Sequence, residues 1–212
     1  PGSPIAALRA QCGDGASLDG GATIKREPYL QQLSTTGTLL GWVTTDPGEE
    51  HLSLSTGASV VAADEPGNLR SAGEKQKWAT VDGLSENTTY CYTLMAGAAM
   101  TAPTGFKTPP SPDSTETIRF LAFGDSGGGG SDQLALRDQM FEFPFDFMIH
   151  TGDIAYEDGT LGQFEANVFT VYKELFKNLG FYPASGNHEY NTPGAAPFKQ
   201  VFALPGNEEW YS

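Results

Sequence analysis

Short runs of alternating polar and apolar residues fill positions 24–106. The runs at 38–45, 51–55, 77–81 and 89–95 are rich in Val, Leu, Thr, Tyr and Trp. Turn formers part them: Asp46-Pro47-Gly48, Glu65-Pro66-Gly67 and Asp82-Gly83. That spacing predicts an all-β sandwich over 24–106. From 118 onward the pattern changes. Residues 118–123, 147–150 and 181–184 are compact apolar runs that read as buried strands. Between the first two, Ser131 is positioned to cap a helix carrying Leu134, Leu136, Met140 and Phe141. Between the second and third, Phe164, Val168, Tyr172, Leu175 and Phe176 recur at helical spacing, which predicts an amphipathic helix over 161–178 ending at Gly180. Strand-helix-strand-helix-strand implies parallel pairing with right-handed crossovers. Residues 197–204 add a helical turn, and Trp210-Tyr211-Ser212 reads as the start of a further strand.

The expected organisation is an extension (1–23), a β-sandwich (24–106), a polar, proline-rich linker (107–117) and part of an α/β domain (118–212). Composition narrows what this can do. Acidic residues outnumber basic ones 26 to 12, a net charge of −14, and no Lys/Arg-rich stretch offsets it. That excludes a nucleic-acid scaffold. It also repels anionic substrates at long range, so a phosphate-handling site needs a local positive source such as bound metal. No apolar run reaches the roughly 18 residues of a membrane span. The Pro1-Gly2-Ser3 start reads as a cloning or processing scar, which leaves room for a leader removed earlier. Cys12 and Cys91 are either a disulfide closing a long loop, worth roughly 4–5 kcal/mol, or two unpaired thiols. Without CxxC spacing they are not a zinc site. Asn87-Thr88-Thr89 is a glycosylation sequon and equally an ordinary start to a strand.

The chemistry concentrates in three strings, each just after a predicted strand of the α/β part: Gly124-Asp125-Ser126-Gly127, Gly152-Asp153-Ile154-Ala155-Tyr156 and Gly186-Asn187-His188-Glu189. Open α/β sheets bind ligands at the carboxyl ends of their strands. Asp125 and Asp153 are hard carboxylate donors, and one carboxylate can bridge two ions. A phenol such as Tyr156, with an ordinary pKa near 10, ligates as phenolate only to a strongly Lewis-acidic cation, which favours ferric iron. Asn187 offers a neutral carbonyl oxygen, and His188 can bind metal, donate a proton or contact a phosphate oxygen. The set suits a two-metal hydrolase. His150 reads as structural and His51 as a surface residue. The Gly127–Gly130 run lacks a following Lys-Ser/Thr, so it reads as a flexible turn rather than a nucleotide loop.

Two resemblances follow from these residues. Leu84, Tyr90 and Tyr92 in Gly83-Leu84-Ser85-Glu86-Asn87-Thr88-Thr89-Tyr90-Cys91-Tyr92, with Trp42, resemble the fibronectin type III pattern, which implies a Tyr90 hydroxyl tied back to backbone and a core Trp42. The three glycine-led strings after such a domain resemble the purple acid phosphatases of the metallophosphoesterase superfamily. That resemblance implies a mixed β-sandwich flanked by helices. It implies Asp125 and Tyr156 on Fe(III), Asp153 bridging, Asn187 on a divalent ion (Zn, Fe or Mn), His188 at the phosphate or leaving group, and Glu189 behind them. It further implies hydrolysis of phosphate monoesters at acidic pH, through attack of a metal-bound hydroxide on phosphorus, by a secreted protein. The family's later histidine motifs have no counterpart here, because none of the three histidines follows His188. The expectation is therefore the N-terminal part of an enzyme whose C-terminal half is a separate or missing chain. A phosphodiesterase or nucleotide pyrophosphatase, or a non-catalytic binding module with an incomplete site, are the alternatives.

Overall fold

The computed structural model describes residues 2–67, 69–71 and 73–206, so the strand expected at Trp210-Tyr211-Ser212 lies outside the described residues. A short helix α1 (Ala6–Cys12) comes first. It is followed by β1 (Ile24–Gln31), β2 (Gly37–Thr44), β3 (Glu50–Leu54), β4 (Ser59–Val61), β5 (Ala63–Asp64), β6 (Lys75–Asp82), β7 (Thr89–Ala96), β8 (Ala99–Met100) and β9 (Thr104–Lys107). These form two antiparallel sheets. One runs β1-β2-β6-β5, and the other runs β4-β3-β7 with β8 and β9 sharing the far edge of β7. In β7, Tyr90, Tyr92, Leu94 and Ala96 are buried while the residues between them are half-exposed, the period of two that a one-sided core demands. Leu30, Leu40, Trp42, Leu52, Leu94 and Phe106 are fully buried between the sheets.

Several buried polar groups of this sandwich pair within it. The Trp42 indole N–H donates to Glu50 Oε2 at 2.7 Å and Thr44 Oγ1 donates to Glu50 Oε1 at 2.7 Å. Tyr90 Oη accepts from the Ser85 amide at 2.8 Å, the backbone tie expected of it. Cys12 and Cys91 form a disulfide, which settles the choice left open by the sequence and pins α1 to β7.

The second part contains β10 (Phe120–Phe123), α2 (Ser131–Met140), β11 (Phe147–His150), α3 (Leu161–Gln163), a π-helical turn (Phe164–Phe169), α4 (Thr170–Phe176), β12 (Gly180–Pro183) and α5 (Ala196–Val201). The strands pair in parallel as β10-β11-β12, and Phe123, His150 and Pro183 lie in one register row. Their carboxyl ends are therefore level, and the three glycine-led strings leave the sheet side by side.

Two helix expectations need correction. Ser131 does not cap α2; Gly130 holds the cap position and Ser131 is already helical, without a side-chain cap bond. Leu134 and Leu136 are each 38% exposed, while Gln133 and Met140 are the buried residues. The helix turns a polar side chain inward because the neighbouring loops need its hydrogen bonds. The single helix expected over 161–178 is three segments. It opens on a capping box between Thr160 and Gln163, widens into the π turn, and closes at Phe176 rather than at Gly180, which instead begins β12. The early stop frees Lys177 and Asn178, both buried, to reach the sandwich. Lys177 Nζ meets Glu27 at 3.1 Å, and Asn178 Nδ2 donates to Thr104 Oγ1 at 3.0 Å.

The two parts share a joint. Tyr29 of β1 lies in the second core, with its ring centre 4.8 Å from that of Phe169, and the Arg26 guanidinium sits 3.8 Å over the Phe169 ring. Arg26 and Arg70 both pair with Glu165 on the π turn.

Candidate metal centre

The site is built from three loops that approach more closely than side chains on their glycines would allow. A Cβ on Gly127 would lie 1.7 Å from the Ile154 carbonyl oxygen. A Cβ on Gly186 would lie 2.1 Å from Asp153 Oδ1. The glycines of the first and third strings are thus required by loop-to-loop packing, and the segment expected to be a flexible turn is seated at Gly127 against its neighbour. Asp125 and Asp153 both adopt left-handed backbone, with φ of 51° and 54°. For non-glycine residues that conformation is uncommon and persists only where the surroundings impose it.

Around Asp153 the constraint comes from Glu189. Its buried carboxylate accepts from four backbone amides: Asp153 at 3.1 Å, Ile154 at 2.8 Å, Ala155 at 3.0 Å and Gly186 at 2.7 Å. One side chain thereby fastens the second string to the third. The fit between the first two strings runs through backbone, with the Asp125 amide donating to Gly152 O at 3.2 Å and the Tyr156 amide to Gly127 O at 3.0 Å.

On this frame four of the five expected residues meet, and among the described residues Asn187 makes no hydrogen bond or ring contact with them. Tyr156 Oη donates to Asp125 Oδ1 at 3.0 Å. The His188 amide donates to Asp153 Oδ1 at 3.0 Å, and the His188 ring centre lies 4.3 Å from that of Tyr156. Asn187 is exposed immediately beside His188. The His188 ring is oriented by an Nδ1–H donated to Glu157 O at 2.6 Å, which leaves Nε2 as the other ring nitrogen. That hydrogen bond, ahead of the opposing effect of burial, raises the imidazole pKa above its ordinary value. Burial, the hydrogen bond to Asp125 and the charges of Asp125, Asp153 and Glu189 push the Tyr156 phenol up to about 12. So the phenol keeps its proton in the absence of a cation, and only a strongly polarising ion would displace it.

The donors fit hard, Lewis-acidic metal ions: two carboxylates, one phenol and one amide oxygen on a rigid frame. Among the described residues, His, Cys, Asp and Glu alone form no three-membered metal cluster. The donor set depends on Tyr156 and Asn187 to grow beyond two.

His150 has a defined place beneath the loops. It is buried, its Nδ1 accepts from the Gly152 amide at 3.2 Å, and its Nε2–H therefore faces Ser126 Oγ at 3.0 Å. It ties the first string to the second, and burial pushes its pKa down to about 4. The structural reading of His150 thus stands, with a more specific task than ending a strand. Gln133 and Asn167, which also hold these loops, carried no sequence signal. Each is a lone amide in a helix, and only the fold brings it to the site.

Residues 118–212 match the calcineurin-like phosphoesterase family. Among curated proteins, the chain is similar to a probable inactive purple acid phosphatase 27 from Arabidopsis thaliana, 29% identical over 160 residues, covering 66% of this chain and 25% of that protein. A nucleotide pyrophosphatase/phosphodiesterase from Hordeum vulgare is 30% identical over 112 residues, covering 47% and 30%. Purple acid phosphatase 7 from Arabidopsis thaliana is 32% identical over 104 residues, covering 45% and 32%. The chain therefore spans a quarter to a third of the length of these relatives. Among solved structures, a purple acid phosphatase from yellow lupin seeds matches with a TM-score of 0.75 at 18% identity, over 93% of this chain and 43% of that one. That likeness shows the fold alone: an N-terminal β-sandwich followed by an α/β part built on a parallel sheet. Among the described residues no helix is long and apolar enough to cross a membrane.

Proposed function

We propose that the phosphoesterase domain contributes one side of a dinuclear metal site that hydrolyses phosphate monoesters. In this reading Asp125 and Tyr156 would hold a ferric ion, Asp153 would serve both ions, and Asn187 would hold a divalent ion (zinc, iron or manganese). The observation that carries it is the meeting of Asp125, Asp153, Tyr156 and His188 on loops from three level strands. When bound, the ion pair supplies Lewis acidity toward water and the phosphoryl oxygens. The chain's own residues do the positioning. Glu189 fixes the backbone on either side of Asp153, and His188, oriented through Nδ1, presents Nε2 for a phosphate oxygen or for the proton of the leaving group. With a net charge of −14, attraction for an anionic ester has to come from inside the site.

Four donors do not fill two coordination spheres, since such ions take about four to six ligands each. The remaining ligands are assigned to the C-terminal half of the same enzyme, as a continuation or a separate chain. The disulfide supports an extracytoplasmic location, where such bonds persist.

The test is metal analysis and visible spectroscopy of the full-length protein, with Tyr156→Phe as the variant. The wild type should carry two metals and a tyrosinate-to-iron band, and the variant should lose that band while keeping its fold. Metal-free wild-type protein after correct assembly sinks the reading. The phosphodiesterase or pyrophosphatase alternative is favoured by the name of the barley relative, and a panel of monoesters, diesters and nucleotides separates the two. The name of one Arabidopsis relative favours a non-catalytic protein, for which the same panel would be silent.

A further inference from the structure

The π turn carries a side chain that touches both of the loops bearing Asp125 and Tyr156. Asn167 Nδ2 donates to Gly127 O at 3.0 Å and to Tyr156 O at 3.2 Å. Its two amide protons thus bridge the end of the first string to the end of the second. The seat is built for it. A Cβ on Gly129, whose φ is +72°, would lie 2.6 Å from Asn167 Oδ1, so a side chain there would strike the amide. Gln133 completes the arrangement, with Oε1 accepting from the Gly129 amide at 2.7 Å and Nε2 donating to the Asn167 backbone carbonyl.

The helix geometry explains how Asn167 gets there. A π turn holds one more residue than an α turn, so Phe164 and Phe169, five apart, both return to the core and are 0% and 4% exposed. Val168 joins them there, while Glu165 and Asn167 are left on the flanks. Glu165 goes to Arg26 and Arg70 of the sandwich, and Asn167 goes to the loops. Insertions of this kind cluster at functional sites.

We infer that Asn167 is a positioning residue for the metal-binding loops. Its carboxamide fixes the distance between the segments that present Asp125 and Tyr156, and so sets the geometry of the first ion's ligands. This rests on the proposed metal site, because a clamp between two loops matters to chemistry only if both loops ligate.

The experiment uses the full-length protein with Asn167→Asp, which keeps the shape and removes both donors, and Asn167→Ala. Hydrogen exchange of the Tyr156 amide is followed in metal-free protein, and zinc and ferric affinities are measured by titration. Both variants should speed exchange of the Tyr156 amide at least tenfold, on the order expected when a local tie is lost. They should weaken metal binding about 10- to 100-fold, the usual cost of removing a group that orients ligands. Exchange in the sandwich strands and the thermal midpoint should stay close to wild type. Unchanged Tyr156 exchange in both variants overturns the inference whether or not metal binds. So does wild-type metal affinity in a variant that has merely lost thermal stability. Absence of metal from the wild type itself instead overturns the proposed site, and is read separately.

Discussion

Two buried glutamates show how differently the halves of this chain are held together. In the sandwich, Glu50 serves side chains: the Trp42 indole and the Thr44 hydroxyl, with Lys77 at 3.6 Å. In the α/β part, Glu189 serves four backbone amides. The first braces strands whose hydrogen bonds are already made by their neighbours. The second supplies acceptors to loops that have no ladder of their own. A sheet needs side chains to fill its core, whereas a site made of loops needs side chains to replace secondary structure. Hence the sandwich is rich in buried aromatic and aliphatic residues at period two, and the site is rich in glycine, carboxylate and amide.

That contrast can be broken from either side. The largest effect should come from replacing Cys12 and Cys91 by serine, which opens a long loop and costs roughly 4–5 kcal/mol of stability. Because the disulfide ties α1 to β7, metal affinity per folded molecule should not change, and a parallel fall in affinity would show that the halves are not separable. Glu189→Ala should act in the opposite place. It strands four backbone amides, two of them buried, and is expected to cost on the order of 4 kcal/mol, with metal binding lost before the sandwich melts. Urea unfolding monitored by tryptophan fluorescence alongside zinc titration would read both; unchanged metal affinity would contradict the role given to Glu189.

A smaller effect should appear with pH. His150 titrates near 4 when folded, below its ordinary value of 6.5, because burial disfavours its charge. The unfolded chain therefore takes up the extra proton between pH 6.5 and 4. The contribution is intact above pH 6.5 and lost as pH falls through that window, to a total of about 3 kcal/mol. His150→Asn should flatten the acid slope of stability in metal-free protein. Parallel pH profiles for the two proteins would refute the assignment.

Much of this was legible in the residues. The period-two runs predicted the sandwich strands, because a half-buried sheet must alternate. The compact apolar runs at 118–123, 147–150 and 181–184 predicted the parallel strands, although Ile118 and Phe120 of the first are exposed, and the glycine-led strings fall on the loops that meet at the sheet edge. The helices were less legible. Ser131 has the chemistry of a cap but falls inside α2, and Leu134 and Leu136 have the chemistry of a core but lie on the surface. In both cases local preference yielded to the loop that needed Gln133. The spacing of Phe164, Val168 and Tyr172 fits an α-helix, so the π turn was invisible until Phe169 was seen packing on Tyr29 across the joint.

By itself, then, the sequence determined which candidate donors stand after the glycines and which strands present them. Ligand chemistry and strand periodicity are local properties, written in adjacent residues. The tertiary structure alone decided what makes those residues a site: Glu189 gathering four amides, His150 linking Ser126 to Gly152, and Asn167 bridging Gly127 to Tyr156. Each is a polar side chain with a partner on another segment, and its role exists only once the chain has brought the two within reach.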